Sequence, residues 1–117
     1  MSVLGELQPN KVFKYFEEIC SIPHGSRNLQ QISDYLVDFA KAHELKYRQD
    51  EDLNVIIWKD GSKGYEASEP VILQGHMDMV AVKEADCDKD MEKEGLDLEI
   101  NGDYISAKGT SLGGDDG

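Results

Sequence analysis

Basic residues are scarce. Only 12 Lys and Arg stand against 24 Asp and Glu, a formal net charge of −12. Binding nucleic acid takes a cluster of cations that displaces counterions from phosphate, so this balance argues against such a partner. Anionic membrane surfaces are disfavoured on the same ground. Cysteine is scarce as well. Cys20 and Cys87 are too few for a disulfide framework, and a reduced, cytoplasmic compartment fits. No apolar stretch approaches the length that spans a bilayer. Met1 to Leu7 lacks the basic region and apolar run of a secretory signal. Nothing repeats and nothing is of low complexity. There remains an acidic chain of 117 residues, the size of one small domain with its own core. Its acidity suits cationic ligands, although solubility accounts for it equally well.

Two helices are expected first. Val12, Phe13, Phe16 and Ile19 recur at helical spacing over Pro9 to Ile19, and Pro9 suits a first turn. The helix ends near Ser21-Ile22-Pro23, because the residue before a proline avoids helical backbone angles. His24-Gly25-Ser26 then turns the chain, with Ser26 able to cap a second helix over about Arg27 to His43. Leu29, Ile32, Leu36, Phe39 and Ala40 make its buried stripe. Strand-like runs follow at Leu45 to Gln49 and Leu53 to Lys59, with Asp50-Glu51-Asp52 as the connection of a hairpin. Tyr47 and Trp58 read as core. The acidic stretch Lys83 to Gly95 imitates a calcium-loop spacing, but Met91 occupies the position that needs Gly, so a solvated, mobile loop is expected. Leu96 to Ile100 and Tyr104 to Ala107 alternate around Asn101-Gly102, a strong hairpin signal.

The chemistry concentrates in two places. Val71-Ile72-Leu73-Gln74-Gly75 runs into His76-Met77-Asp78. The apolar run predicts a buried strand, and side chains two apart on a strand share a face. His76 and Asp78 would then project together at the carboxyl end of the strand, where sites of open α/β sheets lie. Imidazole and carboxylate both suit zinc or a similar metal. The second place is the Gly-rich tail, Gly109 to Gly117, which presents Asp115 and Asp116. A carboxylate can bridge two metal ions, and flanking glycines allow the unusual backbone angles that such an orientation needs. His24 reads as surface or packing, with a reach into the site as the alternative. His43 ends a helix, where a cation suits the dipole.

Four stretches carry a resemblance to a known family. They are Ile19-Cys20-Ser21-Ile22-Pro23-His24, Asn54-Val55-Ile56-Ile57, Val71 to Val80, and Gly109-Thr110-Ser111-Leu112-Gly113-Gly114-Asp115-Asp116-Gly117. In this order they resemble the N-terminal part of the aminoacyl-histidine dipeptidases, cytosolic two-zinc metallopeptidases related to carboxypeptidase G and the aminoacylases. The resemblance covers essentially the whole chain. It implies that His76 is a ligand to one zinc. It implies that Asp78, the catalytic-site aspartate, orients a neighbouring ligand, and that Asp115 bridges both zincs. It implies that the Asp115–Asp116 peptide is cis, which without proline costs about 3 kcal/mol, and that Asp116 is structural. The general-base glutamate and the remaining ligands of such enzymes fall beyond Gly117, so this chain is expected to be inactive alone and to bind metal weakly.

The expectations are therefore these. The fold is α/β, helices packed on a mixed sheet, and residues 1–117 form the N-terminal part of a zinc-exopeptidase-like catalytic domain. The parent activity is hydrolysis of Xaa-His dipeptides in the cytoplasm, with two zincs per complete site and other divalent metals as substitutes. The partner is a small peptide substrate, with neither nucleic acid nor membrane. The alternatives are a related two-zinc exopeptidase or amidohydrolase with another substrate, and a non-catalytic chain that self-associates into a homo-oligomer.

Overall fold

The computed structural model describes residues 2–116. Met1 lies outside them, as does Gly117, the last residue of the Gly-rich motif. The elements are α1 (Asn10–Cys20), α2 (Gln30–Ala42), β1 (Lys46–Gln49), β2 (Val55–Trp58), β3 (Leu98–Asn101) and β4 (Tyr104–Ala107). The α/β class expected from the sequence holds. Its sheet component is two antiparallel hairpins, β1–β2 and β3–β4. Parallel pairing among the described residues is confined to an isolated bridge between Gly25 and Met79.

The helices start later than their patterns suggest. Pro9 stands just before α1 with extended backbone angles. α2 begins at Gln30, three residues beyond the expected start. Arg27 has a positive φ of 71°, which a helix cannot continue through. The Ser26 hydroxyl does not cap α2, because it is engaged by Asp78, 52 residues away. Ile32, Ser33, Val37 and Ala40 form the buried side of α2, which packs on β1 and β2. Leu36 and Phe39, expected in that stripe, are only half-buried. The buried Ser33 is satisfied on both sides. Its hydroxyl donates to the Leu53 carbonyl at 2.7 Å and accepts from Gln49 at 2.8 Å.

Both hairpins follow local turn chemistry. In the first, one Asp50 oxygen accepts the backbone N–H groups of Asp52 and Asn54 at 3.0 and 2.9 Å. That is an aspartate closing its own turn. In the second, Asn101 pairs with Tyr104, so Gly102 and Asp103 make the two-residue loop. Gly102 has φ 62°, which the loop demands and glycine accepts freely. Tyr47 and Trp58 are not core. They lie on opposite faces of the β1–β2 hairpin, 37 % and 44 % exposed: Trp58 on the open face under Lys46, Tyr47 on the α2 side under Lys41. The acidic stretch 83–95 is largely exposed, with a tight turn around Asp90.

A second core lies away from α2. Leu4, Cys20 and Leu98 are buried together, flanked by Phe13, Phe16 and Ile105. It joins α1 to the β3–β4 hairpin. Gly95 lies against the Ser21 backbone, where a Cβ would clash.

The largest departure concerns Val71 to Val80. It is not a buried strand. Val71, Ile72 and Leu73 are 83 %, 88 % and 92 % exposed. A strand apolar on both faces needs a neighbour on each edge, and none of the described residues pairs with residues 71–78. The chain becomes ordered against its neighbours from Asp78 onward. Met79 bonds to the 24–26 turn, and residues 80–84 bond to 109–111. Replacing Ile32 by Ala should destabilise the chain by about 2–5 kcal/mol, read by urea unfolding. Little change would place the core elsewhere.

Candidate metal centre

Segment 78–84 is held from both sides, and this brings two distant motifs together. On one side Met79 N–H donates to the His24 carbonyl and Ser26 N–H to the Met79 carbonyl, both at 2.9 Å. On the other, Ser111 N–H donates to the Val82 carbonyl at 2.9 Å and Glu84 N–H to the Gly109 carbonyl at 2.8 Å. The Gly-rich tail then folds back over Met79. At Gly113 a Cβ would meet an Asp116 carboxylate oxygen at 2.7 Å and the Met79 side chain at 3.0 Å. Glycine is required there by close approach.

The result is a cluster around one imidazole. His76 Nδ1 lies 3.0 Å from the Asp78 carbonyl and 3.2 Å from its carboxylate Oδ1. Nε2 lies 3.2 Å from Asp115 Oδ2. Asp116 Oδ1 is 3.8 Å from Nδ1. The structure thus gathers His76, Asp78, Asp115 and Asp116, which are separated by up to 40 positions. The Asp115–Asp116 peptide, expected to be cis, takes the ordinary trans form, and the cis bond among the described residues is Gln8–Pro9. Asp115 is 85 % exposed, so nothing in its surroundings enforces the costlier isomer.

The donor set fits a cation. His76, Asp115 and Asp116 each offer one ligand atom, all within 4.8 Å of one another. Nδ1 faces the Asp78 acceptors and Nε2 the Asp115 carboxylate, so a proton kept on Nδ1 would leave Nε2 free to bind an ion. Two acceptors 3.2 Å apart call for a proton or a metal ion between them. Asp116 Oδ1 is buried and makes no hydrogen bond, and such an atom wants a positive partner.

The charges tune one another. The hydrogen bond to Asp115 raises the His76 pKa above its usual value, and the Asp78 carbonyl adds to it. The Ser26 hydroxyl holds Asp78 below the usual carboxylate range. Burial pushes Asp116 up, against the pull of His24. Burial and then the Asp116 charge push the Cys20 thiol up to about 12, so it is inert as a nucleophile.

Two site residues escape a motif reading. His24 is not surface: it is 2 % exposed, donates from Nδ1 to the Ile22 carbonyl at 2.7 Å and meets Asp116 Oδ2 with Nε2 at 2.7 Å. Ser26 donates to Asp78 Oδ2 at 2.6 Å. The signal for His24 was the run Ser21-Ile22-Pro23-His24, whose meaning came from the resemblance, and Ser26 was legible only as a helix cap. His43 stays apart, stacked on Phe39.

No family model matches the chain. It is 38 % identical over all 117 residues to the cytosol non-specific dipeptidase of Escherichia coli (strain K12), covering 24 % of that protein. The solved aminoacylhistidine dipeptidase of Vibrio alginolyticus superposes on 96 % of the chain with a TM-score of 0.90 at 37 % identity. The match takes in 23 % of that protein. The chain spans about a quarter of the length of these relatives. The resemblance read from the motifs therefore holds in sequence and in backbone.

A His76 pKa raised in the folded state means that its contribution to stability is present at low pH and fades as pH rises through the raised value. Asp115→Asn should move the His76 titration midpoint to lower pH, read by NMR of the ring carbons. An unmoved midpoint would show that the two side chains do not meet in solution.

Proposed function

We propose that this chain supplies part of the metal site of a dipeptidase acting on Xaa-His dipeptides in the cytoplasm, with zinc as the metal and two ions in the complete site. The observation that carries the reading is the His76–Asp115–Asp116 group, assembled from two motifs in a backbone that matches dipeptidases. The compartment follows the printed name of the Escherichia coli relative. No helix is long and apolar enough to cross a membrane among the described residues.

Each residue has a role. His76 would hold one ion, with Nε2 as its free nitrogen. Asp115, the most exposed of the cluster's carboxylates, is free to reach two ions. Asp78 keeps the His76 proton on Nδ1. Asp116 holds the floor of the site through its buried carboxylate. Zinc bound there supplies Lewis acidity toward a peptide carbonyl and toward water. The group holds no glutamate among the described residues, so a general base must come from outside it. His76 and Asp115 alone would make a weak site, since structural zinc sites take four protein ligands and catalytic ones three plus water. The chain by itself is therefore expected to hydrolyse nothing measurable.

The test is a chimera in which these residues replace the matching quarter of the Escherichia coli dipeptidase. With zinc it should cleave a Xaa-His dipeptide, and His76→Ala should lower the rate by about 100-fold or more, as loss of a metal ligand does. A folded chimera without activity, or one indifferent to His76→Ala, would contradict the reading. A substrate panel separates Xaa-His preference from a related exopeptidase or amidohydrolase with another substrate.

One observation favours a second reading, a non-catalytic chain that self-associates. Val71, Ile72 and Leu73 form a contiguous exposed apolar run, and such runs pair with other chains. Light scattering after size exclusion should then give a mass that rises with concentration and falls on Ile72→Lys. A monomer at all concentrations removes this reading.

A further inference from the structure

We propose that the His24-Gly25-Ser26 turn is a two-point clamp and that His24 and Ser26 are positioning residues that set the cation affinity of the cluster. The inference deepens the metal-site reading above and rests on it.

The geometry repeats itself on two carboxylates. Ser26 Oγ takes Asp78 Oδ2 at 2.6 Å, and Asp78 Oδ1 faces His76 Nδ1 at 3.2 Å. His24 Nε2 takes Asp116 Oδ2 at 2.7 Å, and Asp116 Oδ1 faces the same Nδ1 at 3.8 Å. In each case one oxygen is tied to the turn and the other is turned toward His76. Neither clamp residue is in the group that could hold the ion. Each acts through a carboxylate.

The turn is itself fixed in place. Its two backbone hydrogen bonds to Met79 register it against segment 78–84. Asn28 N–H donates to the Gly25 carbonyl at 2.8 Å and closes it. Gly25 permits the approach, since a Cβ there would lie 2.8 Å from the Ala81 Cβ. His24 is buried and tied by its other nitrogen to the Ile22 carbonyl, so its ring cannot rotate to follow a moving carboxylate. Ser26 by contrast is exposed. An exposed hydroxyl–carboxylate contact adds little to folding, because water replaces it readily. Its effect falls on the orientation of Asp78 and hence on which His76 nitrogen is free. Asp116 Oδ1, buried without a partner, is unfavourable for the fold alone and is explained by a positive charge arriving at the cluster.

The clamp is tested on the full chain with Co²⁺, whose visible absorption reports coordination directly. Apo thermal unfolding is measured beside it. The wild type should bind Co²⁺ in a His76-dependent manner. Ser26→Ala should weaken binding by about 10-fold or more, the usual effect of losing a group that orients a ligand. Its apo melting temperature should not change. Ser26→Thr, which keeps the hydroxyl, should restore affinity. His24→Gln should weaken binding and alter the Co²⁺ spectrum; if it does not fold, the Ser26 pair decides alone. Wild-type affinity in Ser26→Ala overturns the clamp and leaves the metal site standing. So does a loss that Ser26→Thr fails to restore, or one matched by a lower apo melting temperature. Absence of wild-type binding, or binding that survives His76→Ala, overturns the metal site and the clamp with it.

Discussion

The pairing of Met79 with the His24–Ser26 turn is the constraint on which the rest of the site depends. Two backbone hydrogen bonds place the residue after Asp78 in register with a turn more than fifty positions earlier. Through Ser111 and Gly109 the same segment is fastened to the Gly-rich tail. Without that double attachment His76 and Asp78 would sit at the end of an exposed run, and Asp115 and Asp116 at the end of an untethered one. The two hydrophobic cores act at a distance. One anchors α2 to the first hairpin and the other anchors α1 to the second, and the turn between the helices is delivered between them.

Electrostatics explains why the site is poised for a cation. Three carboxylates surround one imidazole in a chain whose net charge is −12. Like charges at such spacing disfavour one another. The structure answers this in three ways. A hydroxyl stabilises Asp78, a buried imidazole faces Asp116, and the His76 proton is held more tightly than usual by Asp115. Each of these groups stands where a divalent ion would relieve the same repulsion more fully. A metal ion at Nε2 would compete with that proton, so its binding would strengthen as pH rises through the raised His76 value.

What could be read from the residues follows the range of the interactions involved. The hairpins were legible because Asp50 and Gly102 act on their own turns. The bodies of both helices were legible from apolar spacing. The start of α2 was not, because the Ser26 hydroxyl that would cap it is claimed by Asp78 from far along the chain. The run Val71 to Leu73 was read as a buried strand from its apolarity, yet burial needs partner strands, which composition cannot supply. Trp58 failed for the same reason, as its face of the hairpin has no cover, whereas Tyr47 lies on the α2 side and stays partly exposed under Lys41. The pairing of His76 with Asp78 survives the loss of the strand, because Nδ1 reaches the Asp78 backbone and side chain directly. His24 was the hardest to place. Its partner lies 92 positions away, and no local pattern encodes that distance.

The central claim is that His76, Asp115 and Asp116 receive a metal ion. The most direct measurement is anomalous diffraction at the zinc edge from crystals of this chain soaked in zinc. The expected result is a peak within coordination distance of the His76 and Asp115 side chains, absent from a His76→Ala crystal. Zinc bound only elsewhere, or a peak that persists without His76, would contradict it.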